Sequence, residues 1–258
     1  MIRRALTLTL YLTVLFCVSA SAQTVDELIK KNIDAKGGLQ KVKAIKSMKA
    51  SAKVTQGGGI EIPITLQQKR PNMVRMDMTF QGKSMVQSYD GETGWQINPF
   101  QGNSDPEKMA GDELKDVQEQ ADMDGPLVDY KEKGHKVELV GKEDVEGTPA
   151  YNLKLTLKNG DVRNIYLDAE TYLELKVNAK RKTPGGEIDV EQYLGNYKPV
   201  DGVLFAFSID TKVKGQTVSQ ITLEKIELGV PIEDSLFKMP AKPPEKPKTE
   251  EKKPPAQL

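Results

Sequence analysis

Apolar and polar residues alternate along most of the chain from about residue 48 onward. In the segment 73–80, Val74, Met76, Met78 and Phe80 occupy every second position and therefore share one face of a strand. Short turns separate such segments, which predicts an antiparallel meander of eleven or twelve strands, each apolar on one face and wet on the other. The predicted strands span 48–56, 60–69, 73–80, 84–89, 93–98, 136–142, 149–158, 161–168, 172–181, 187–198, 202–213 and 216–228.

Helical spacing replaces this alternation in two places. Thr24 and Glu27 form a capping box, and the apolar stripe that follows predicts a helix that ends at Gly37. A short second helix is expected at 39–45. Between two runs of strands, residues 104–134 are predicted to form a helical insertion, with one helix starting at its first residues and a short second helix in its last eight.

The apolar face of so long a sheet must be covered. Strands twist and coil, so the sheet curls, and its apolar face is stable only against another layer. The two helical regions are small for so many strands, which favours a concave apolar face that stays partly open. A closed, fully packed barrel fits the same pattern. Methionines cluster in the early strands and the insertion; methionine suits varied apolar ligands, but it is also an ordinary core residue.

The two ends of the chain differ in composition from the middle. Residues 1–22 have a charged start, an apolar run and Ala20-Ser21-Ala22, which predicts a cleaved secretory signal peptide. The only cysteine, Cys17, lies in this segment, so the mature chain has neither disulfides nor thiol chemistry. Residues 23–240 are long enough for one domain with a sizeable core. The segment 241–258 consists mainly of Pro, Lys and Glu and is predicted to be a disordered tail.

Charge and motif content argue against several classes of function. The 37 basic and 37 acidic residues balance, whereas nucleic-acid binding requires a basic surface. His135, the only histidine, lies at a turn among lysines and is expected to be solvated. No His, Cys or carboxylate cluster has metal-ligand spacing, and motifs for nucleophilic catalysis or phosphate binding are missing. The sequence therefore predicts a protein that is not an enzyme, with no catalytic residue, no metal and no cofactor.

Two segments near the start of the sheet carry a family resemblance. The first is Lys69-Arg70-Pro71-Asn72, and the second is Asp90-Gly91-Glu92-Thr93 followed by Trp95 and Asn98-Pro99-Phe100. Together with Leu236-Phe237-Lys238-Met239-Pro240, they resemble the periplasmic outer-membrane lipoprotein carriers (LolA-like proteins). The predicted order of elements also agrees with that family along about 24–240.

The resemblance implies a mainly β fold with some α: a single unclosed antiparallel β-barrel whose helices form a lid over a hydrophobic cavity. It implies a monomeric periplasmic shuttle that takes acylated lipoproteins, or other lipids, from an inner-membrane lipoprotein-releasing transporter to an outer-membrane acceptor. In the family, the arginine of the Arg-Pro pair hydrogen-bonds lid-helix backbone and keeps the empty cavity closed, so the resemblance assigns the role of lid latch to Arg70. An always-charged planar donor suits this role, because it can satisfy several helix-terminal carbonyls at once.

The cavity wall is predicted from the apolar faces of the strands. Val74 and Met76 stand where the family often carries aromatic residues, so the cargo is not specified. Two other functions stay open: a lipid-sensing or lipoprotein-sensing regulatory protein of the envelope with the same fold, and a structural envelope protein with a packed core. The residues predicted to line the cavity are Ile62, Ile64, Leu66, Val74, Met76, Met78, Phe80, Met85, Trp95, Ile97, Leu153, Leu155, Leu175 and Val177.

Overall fold

The computed structural model describes residues 23–183 and 185–241. The predicted signal peptide and all of the predicted tail beyond Ala241 lie outside the described residues. The helices in the described part are α1 (Val25–Ala35), α2 (Leu39–Ala44) and α3 (Gly111–Gln120). The capping box is confirmed, because Thr24 Oγ1 accepts from the Glu27 amide and Glu27 Oε2 accepts from the Thr24 amide. None of these helices has the length and apolar character that crossing a membrane requires.

A single antiparallel sheet contains the thirteen strands of the described residues. Its order is β6-β5-β4-β3-β2-β1-β13-β12-β11-β10-β9-β8-β7, so the first and last strands meet side by side in the middle of the sheet. The two edges are β6 and β7, which do not pair with each other in the described part of the chain, so the barrel is unclosed as predicted. The strands are β1 (Ser47–Gln56), β2 (Ile60–Lys69), β3 (Met73–Phe80), β4 (Lys83–Tyr89), β5 (Gly94–Asn98), β6 (Asn103–Lys108), β7 (Lys136–Val145), β8 (Thr148–Thr156), β9 (Val162–Asp168), β10 (Glu174–Thr183), β11 (Gly186–Val200), β12 (Val203–Val213) and β13 (Gln216–Leu228).

The helical insertion is the part of the predicted architecture that changes most. Its first residues form the edge strand β6, which pairs with β5, and not the start of a helix. A proline at position 106 is compatible with this strand because an edge strand leaves some amides unpaired. Helix α3 begins only at Gly111, and the predicted second helix is a succession of turns over 126–134. One such turn is closed by the Lys133 amide donating to the Asp129 carbonyl.

The core lies mainly on the face of the sheet that carries the helices, here called the inner face. Under α1, Leu28 packs with Leu153 and Leu155 of β8. Under α3, Val117 packs with Val74 of β3. Both clusters bury side chains almost completely, so the helices are held by apolar contacts of the size that dominates folding energetics.

The opposite face, here called the outer face, is also covered in part. After β13 the chain continues as residues 229–240, which run across β1 to β5 on this face; this segment is here called the strap. Phe237 of the strap is fully buried, and its carbonyl accepts from Trp95 Nε1 at 2.7 Å and from Ser88 Oγ at 3.0 Å. The first strands are therefore covered on both sides.

Candidate functional site

Strand register decides which of the predicted cavity residues lie on one face. Met78 of β3 is opposite Ile64 of β2 and Met85 of β4, so these side chains form a row across three strands. The helices contact the same face, since Val74 lies four residues before Met78 on β3 and packs under α3. The ladders place the following predicted residues on the inner face: Ile62, Ile64, Leu66, Val74, Met76, Met78, Phe80, Met85, Leu153, Leu155 and Val177.

Three predicted cavity residues lie on the outer face instead, which corrects their assignment. Trp95 and Ile97 are opposite Ser88 and Val86, and Trp95 is buried beneath the strap. Leu175 packs beside Tyr166 on the outer face.

The reason for Leu175 is a β-bulge. The register of β10 against β9 shifts between Glu174 and Lys176, and one extra residue reverses the alternation of side chains. Val177 beyond the bulge is back on the inner face and packs with the α1 cluster. A continuous alternation along 173–179 therefore predicted the wrong face for this one leucine.

The inner face is not filled evenly. Leu153 and Leu155 are fully buried under α1 and are core residues. Met76, Met78, Phe80 and Met85 are only half-buried, so this Met-rich part of the wall has apolar surface that the helices do not cover completely. An open cleft of about 320 Å³ also lies between α1 and the turns that follow α3, with Ile29, Ile33, Leu39, Leu127 and Tyr130 among its lining residues.

Arg70 joins two parts of the helical layer. It follows β2 directly, and its Nε donates to the Ile45 carbonyl at 2.6 Å while one terminal nitrogen donates to the Val42 carbonyl at 3.1 Å. These carbonyls lie at the C-terminal end of α2, where main-chain donors run out; the Val42 carbonyl also accepts from the amide of the C-cap residue Ile45 at 3.3 Å. The two terminal nitrogens also donate to Asp124, at 2.9 and 2.5 Å. Arg70 thus connects α2 to the segment that follows α3.

Asp124 is a residue of this site that no sequence pattern indicated. Its side chain is 12% exposed, and the hydrogen bonds from Arg70 hold the pKa of its carboxyl below the usual value. Asp124 in turn raises the pKa of Arg70, through the same hydrogen bonds. Acidic residues are common in turns, so the sequence alone does not single out Asp124. Only the folded structure identifies its carboxylate as the partner of the two terminal nitrogens of Arg70.

Two further ion pairs support this region. Lys43 of α2 pairs with Asp129 of the following turns, and Lys133 pairs with Asp122 while donating to the Gly125 carbonyl. Polar bonds therefore tie the end of α2 to the segment that follows α3, while α1 and α3 bury apolar side chains against the sheet.

Helix α3 bridges two parts of the open sheet, one that includes β5 and one that includes β9. On one side it lies close to Gly94 of β5, where an added Cβ would be only 2.7 Å from Leu114 Cδ1. At its end, Gln68 Nε2 donates to the Gln120 carbonyl at 2.5 Å. On the other side Glu119 pairs with Arg163 of β9. Helix α3 therefore covers the gap between these two parts of the sheet.

Contrary to the prediction, His135 is not fully solvated. His135 is half-buried, and its Nδ1 accepts from the Lys158 amide at 3.0 Å. Burial, with a smaller contribution from Lys133, lowers the pKa of the ring. The residue fastens one turn to another, and in the described residues no group of three His, Cys, Asp or Glu side chains is arranged to hold a metal ion.

No protein-family model matches the sequence, and no curated protein sequence matches it. Solved structures do match. A DUF1329 family protein from Desulfovibrio piger superposes with a TM-score of 0.57 at 14% identity, covering 83% of this chain and 97% of that one. A LolA superfamily protein from Nitrosomonas europaea gives a TM-score of 0.56 at 14% identity, covering 84% and 98%. A putative outer membrane lipoprotein-sorting protein domain from Vibrio parahaemolyticus gives 0.51 at 12%, covering 81% and 97%.

At these identities the likeness shows the fold and nothing finer. The chain has the fold of LolA superfamily proteins, which confirms the resemblance found in its sequence at the level of architecture.

Proposed function

We propose that this protein is a non-enzymatic carrier that binds the acyl chains of lipoproteins, or of other lipids, against the inner face beneath its helices. The observation that carries the proposal is the position of Arg70, which fastens α2 to Asp124 in the segment that follows α3, the helix that packs on the apolar inner face. A polar fastening of the helical layer, beside a sheet with a half-buried, Met-rich part of its inner face, is suited to a lid that opens for an apolar ligand. The LolA-type fold supports the same function.

The energetics of acyl burial explain the use of a lid. Each buried methylene contributes roughly 0.8 kcal/mol, so one fully buried chain would contribute on the order of 10 kcal/mol. A site that tight would release its cargo slowly. A closed empty state lowers the net affinity, because the ligand must supply the free energy that opens the lid.

The proposal includes a place and partners. The signal-peptide pattern of residues 1–22 supports export to the periplasm. By family resemblance, the carrier would act as a monomer between an inner-membrane lipoprotein-releasing transporter and an outer-membrane acceptor, with no role for nucleic acid.

The binding face is tested with a charge placed on either side of the sheet. Met85→Glu puts a carboxylate among the half-buried inner-face residues, where desolvation penalises it. Val162→Glu is the control, because Val162 is exposed on the outer face. We expect Met85→Glu to weaken binding of a fluorescent fatty acid at least roughly tenfold and Val162→Glu to leave it unchanged. Equal effects would refute the inner face as the binding surface.

The cargo itself is identified by native mass spectrometry of the protein purified from its own cell envelope. Acyl-bearing molecules released from the protein support the proposal. A protein that is consistently free of them, and that does not bind the fluorescent fatty acid, supports the structural alternative with a packed core.

A sensor of lipid or mislocalised lipoprotein is the second candidate. The observation that favours it is the strap, which leads directly into the tail at 241–258. Deleting that tail separates the two functions: a carrier still binds and transfers cargo, whereas a sensor that signals through the tail loses its membrane partner while it keeps its ligand.

A further inference from the structure

The strap is held to the outer face by side chains of the first strands, together with its own buried residues Ile232 and Phe237. Lys69 Nζ donates to the Ile232 carbonyl and to Asp234 Oδ1, both at 2.6 Å. Arg75 donates to the Leu236 carbonyl at 2.9 Å. Further along, Ser88 and Trp95 share the carbonyl of the buried Phe237, and Ser47 Oγ donates to the Val230 carbonyl at 2.5 Å.

Four of these five strap-binding residues have a chain neighbour that contacts the helices on the inner face. Lys69 precedes Arg70, which binds α2 and Asp124. Arg75 follows Val74, which packs under α3.

The same relation holds on the next two strands. Ser88 precedes Tyr89, whose hydroxyl accepts from Gln118 of α3 at 3.4 Å. Trp95 follows Gly94, against which Leu114 of α3 is packed. The alternation of side chains along a strand makes this possible, since consecutive residues point to opposite faces.

We infer that the strap controls the lid. The ends of β2, β3, β4 and β5 are clamped between the strap outside and the helices inside, so the position of a strand end depends on both layers. A displaced strap leaves Lys69, Arg75 and Trp95 without their carbonyl acceptors and allows these strand ends to move. Arg70 and Gly94 move with them, because they are the adjacent residues, and the fastening of α2 and the seat of α3 are loosened.

Such coupling is reciprocal as a matter of thermodynamics. If strap release favours lid opening, then lid opening favours strap release by the same free energy. A partner that grips the strap would thereby prepare the carrier to accept or release cargo. This inference extends the proposed function, but its tests need no ligand and therefore stand even if the lipid-binding proposal fails.

The first test removes the strap anchor and measures hydrogen exchange at the lid. Phe237→Ala deletes a fully buried ring of the strap. Tyr166→Ala is the matched control, because it deletes a buried ring in the outer-face cluster with Val145 and Ala150, which does not include the strap. We expect the amides of α2 to exchange roughly tenfold faster in Phe237→Ala than in the control. If Phe237→Ala does not fold, Lys69→Met removes two strap contacts with little loss of core.

The second test runs in the opposite direction. Trp95 is the only tryptophan, and its indole donates to the strap, so its emission reports strap docking. Asp124→Asn weakens the lid at a residue without a described contact to the strap. We expect a red shift of Trp95 emission in samples whose α2 amides exchange faster. Unchanged α2 exchange in both strap variants, or unchanged Trp95 emission in a loosened lid, would overturn the inference.

Discussion

Replacing Arg70 by leucine removes a side chain that bonds both α2 and Asp124. Four hydrogen bonds are lost, two of them to a carboxylate that is largely shielded from water. Losing a hydrogen bond to a charged group costs about 1.5–3 kcal/mol, and such losses are not additive. Because both side chains keep some contact with solvent, we take about 3 kcal/mol for the whole set, near the lower limit for breaking a buried pair.

This free energy belongs to the closed lid, so its loss appears in the opening equilibrium. About 3 kcal/mol corresponds to roughly a hundredfold change in that equilibrium at 1.36 kcal/mol per factor of ten. Apparent affinity rises as the competent fraction rises and stops rising once the lid is mostly open. We therefore expect Arg70→Leu to bind a fluorescent fatty acid between roughly ten and a hundred times more tightly and to release it more slowly to acceptor vesicles.

The assay is a fluorescence titration followed by stopped-flow transfer to vesicles. Arg70→Lys keeps the charge but loses the fork geometry, so its effect should be intermediate. Lys180→Met is the control, since Lys180 is exposed and lies 3.8 Å from its partner Asp189 on the neighbouring strand β11, and pairs of this kind contribute little. Unchanged affinity and unchanged transfer in Arg70→Leu would refute the latch. An equal effect in Lys180→Met would show that general loss of positive charge, and not this fastening, is responsible.

Three further predictions follow from the same region. Gly94→Val should displace α3, because a Cβ at this position meets Leu114 at 2.7 Å. We expect thermal unfolding to show that the free energy of unfolding falls by about 1–3 kcal/mol. Unchanged stability and unchanged amide exchange in this variant would contradict the close approach. The pKa of Asp124 is lowered in the folded protein, so its contribution to lid closure is complete above its unfolded pKa of about 3.9 and is lost as pH falls through the lower folded pKa. Fatty-acid binding should therefore tighten in that acidic range, and Asp124→Asn should abolish the change. The pKa of His135 is lowered in the folded protein, so its contribution to the free energy of unfolding is complete above about pH 6.5 and is lost as pH falls through its folded pKa, because protonation of Nδ1 removes the acceptor of the Lys158 amide. In denaturation experiments at a series of pH values, His135→Gln should flatten this part of the stability profile.

Most of the sheet was predictable because its strands alternate apolar and polar residues. Along β8, for example, Leu153 and Leu155 alternate with the exposed Lys154 and with Asn152, a buried amide that donates to Glu143, and this pattern alone predicts the strand and the side that carries its apolar residues. Strand β6 was missed because edge strands tolerate proline and charged residues, which are also typical of a helix start. The local sequence was therefore compatible with either structure, and pairing with β5 decided between them.

The face of Trp95 could not be predicted for a different reason. Strand β5 is covered by α3 on one side and by the strap on the other, so both of its faces include buried residues, Gly94 and Trp95. A strand buried on both sides has no polar face to mark its phase. The strap that creates this situation is more than 130 residues away in sequence, since Trp95 and Phe237 are 142 positions apart.

The structure gives the Asp90-Gly91-Glu92-Thr93-Gly94-Trp95 motif a role other than that of a cavity wall. Asp90 Oδ1 accepts from the amides of Glu92 and Thr93, which closes the turn before β5. The turn brings Gly94 to the inner face, where an added Cβ would press on Leu114 and Val117 of α3, and Trp95 to the outer face, where it holds the strap. In this arrangement Gly94 and Trp95 face the two covering layers. They fix the spacing between two covering layers, and Arg70 acts beside Lys69 at the same boundary. A mutation in the motif should therefore change lid opening and strap docking together, whereas a mutation of the Met-rich wall should change ligand affinity alone.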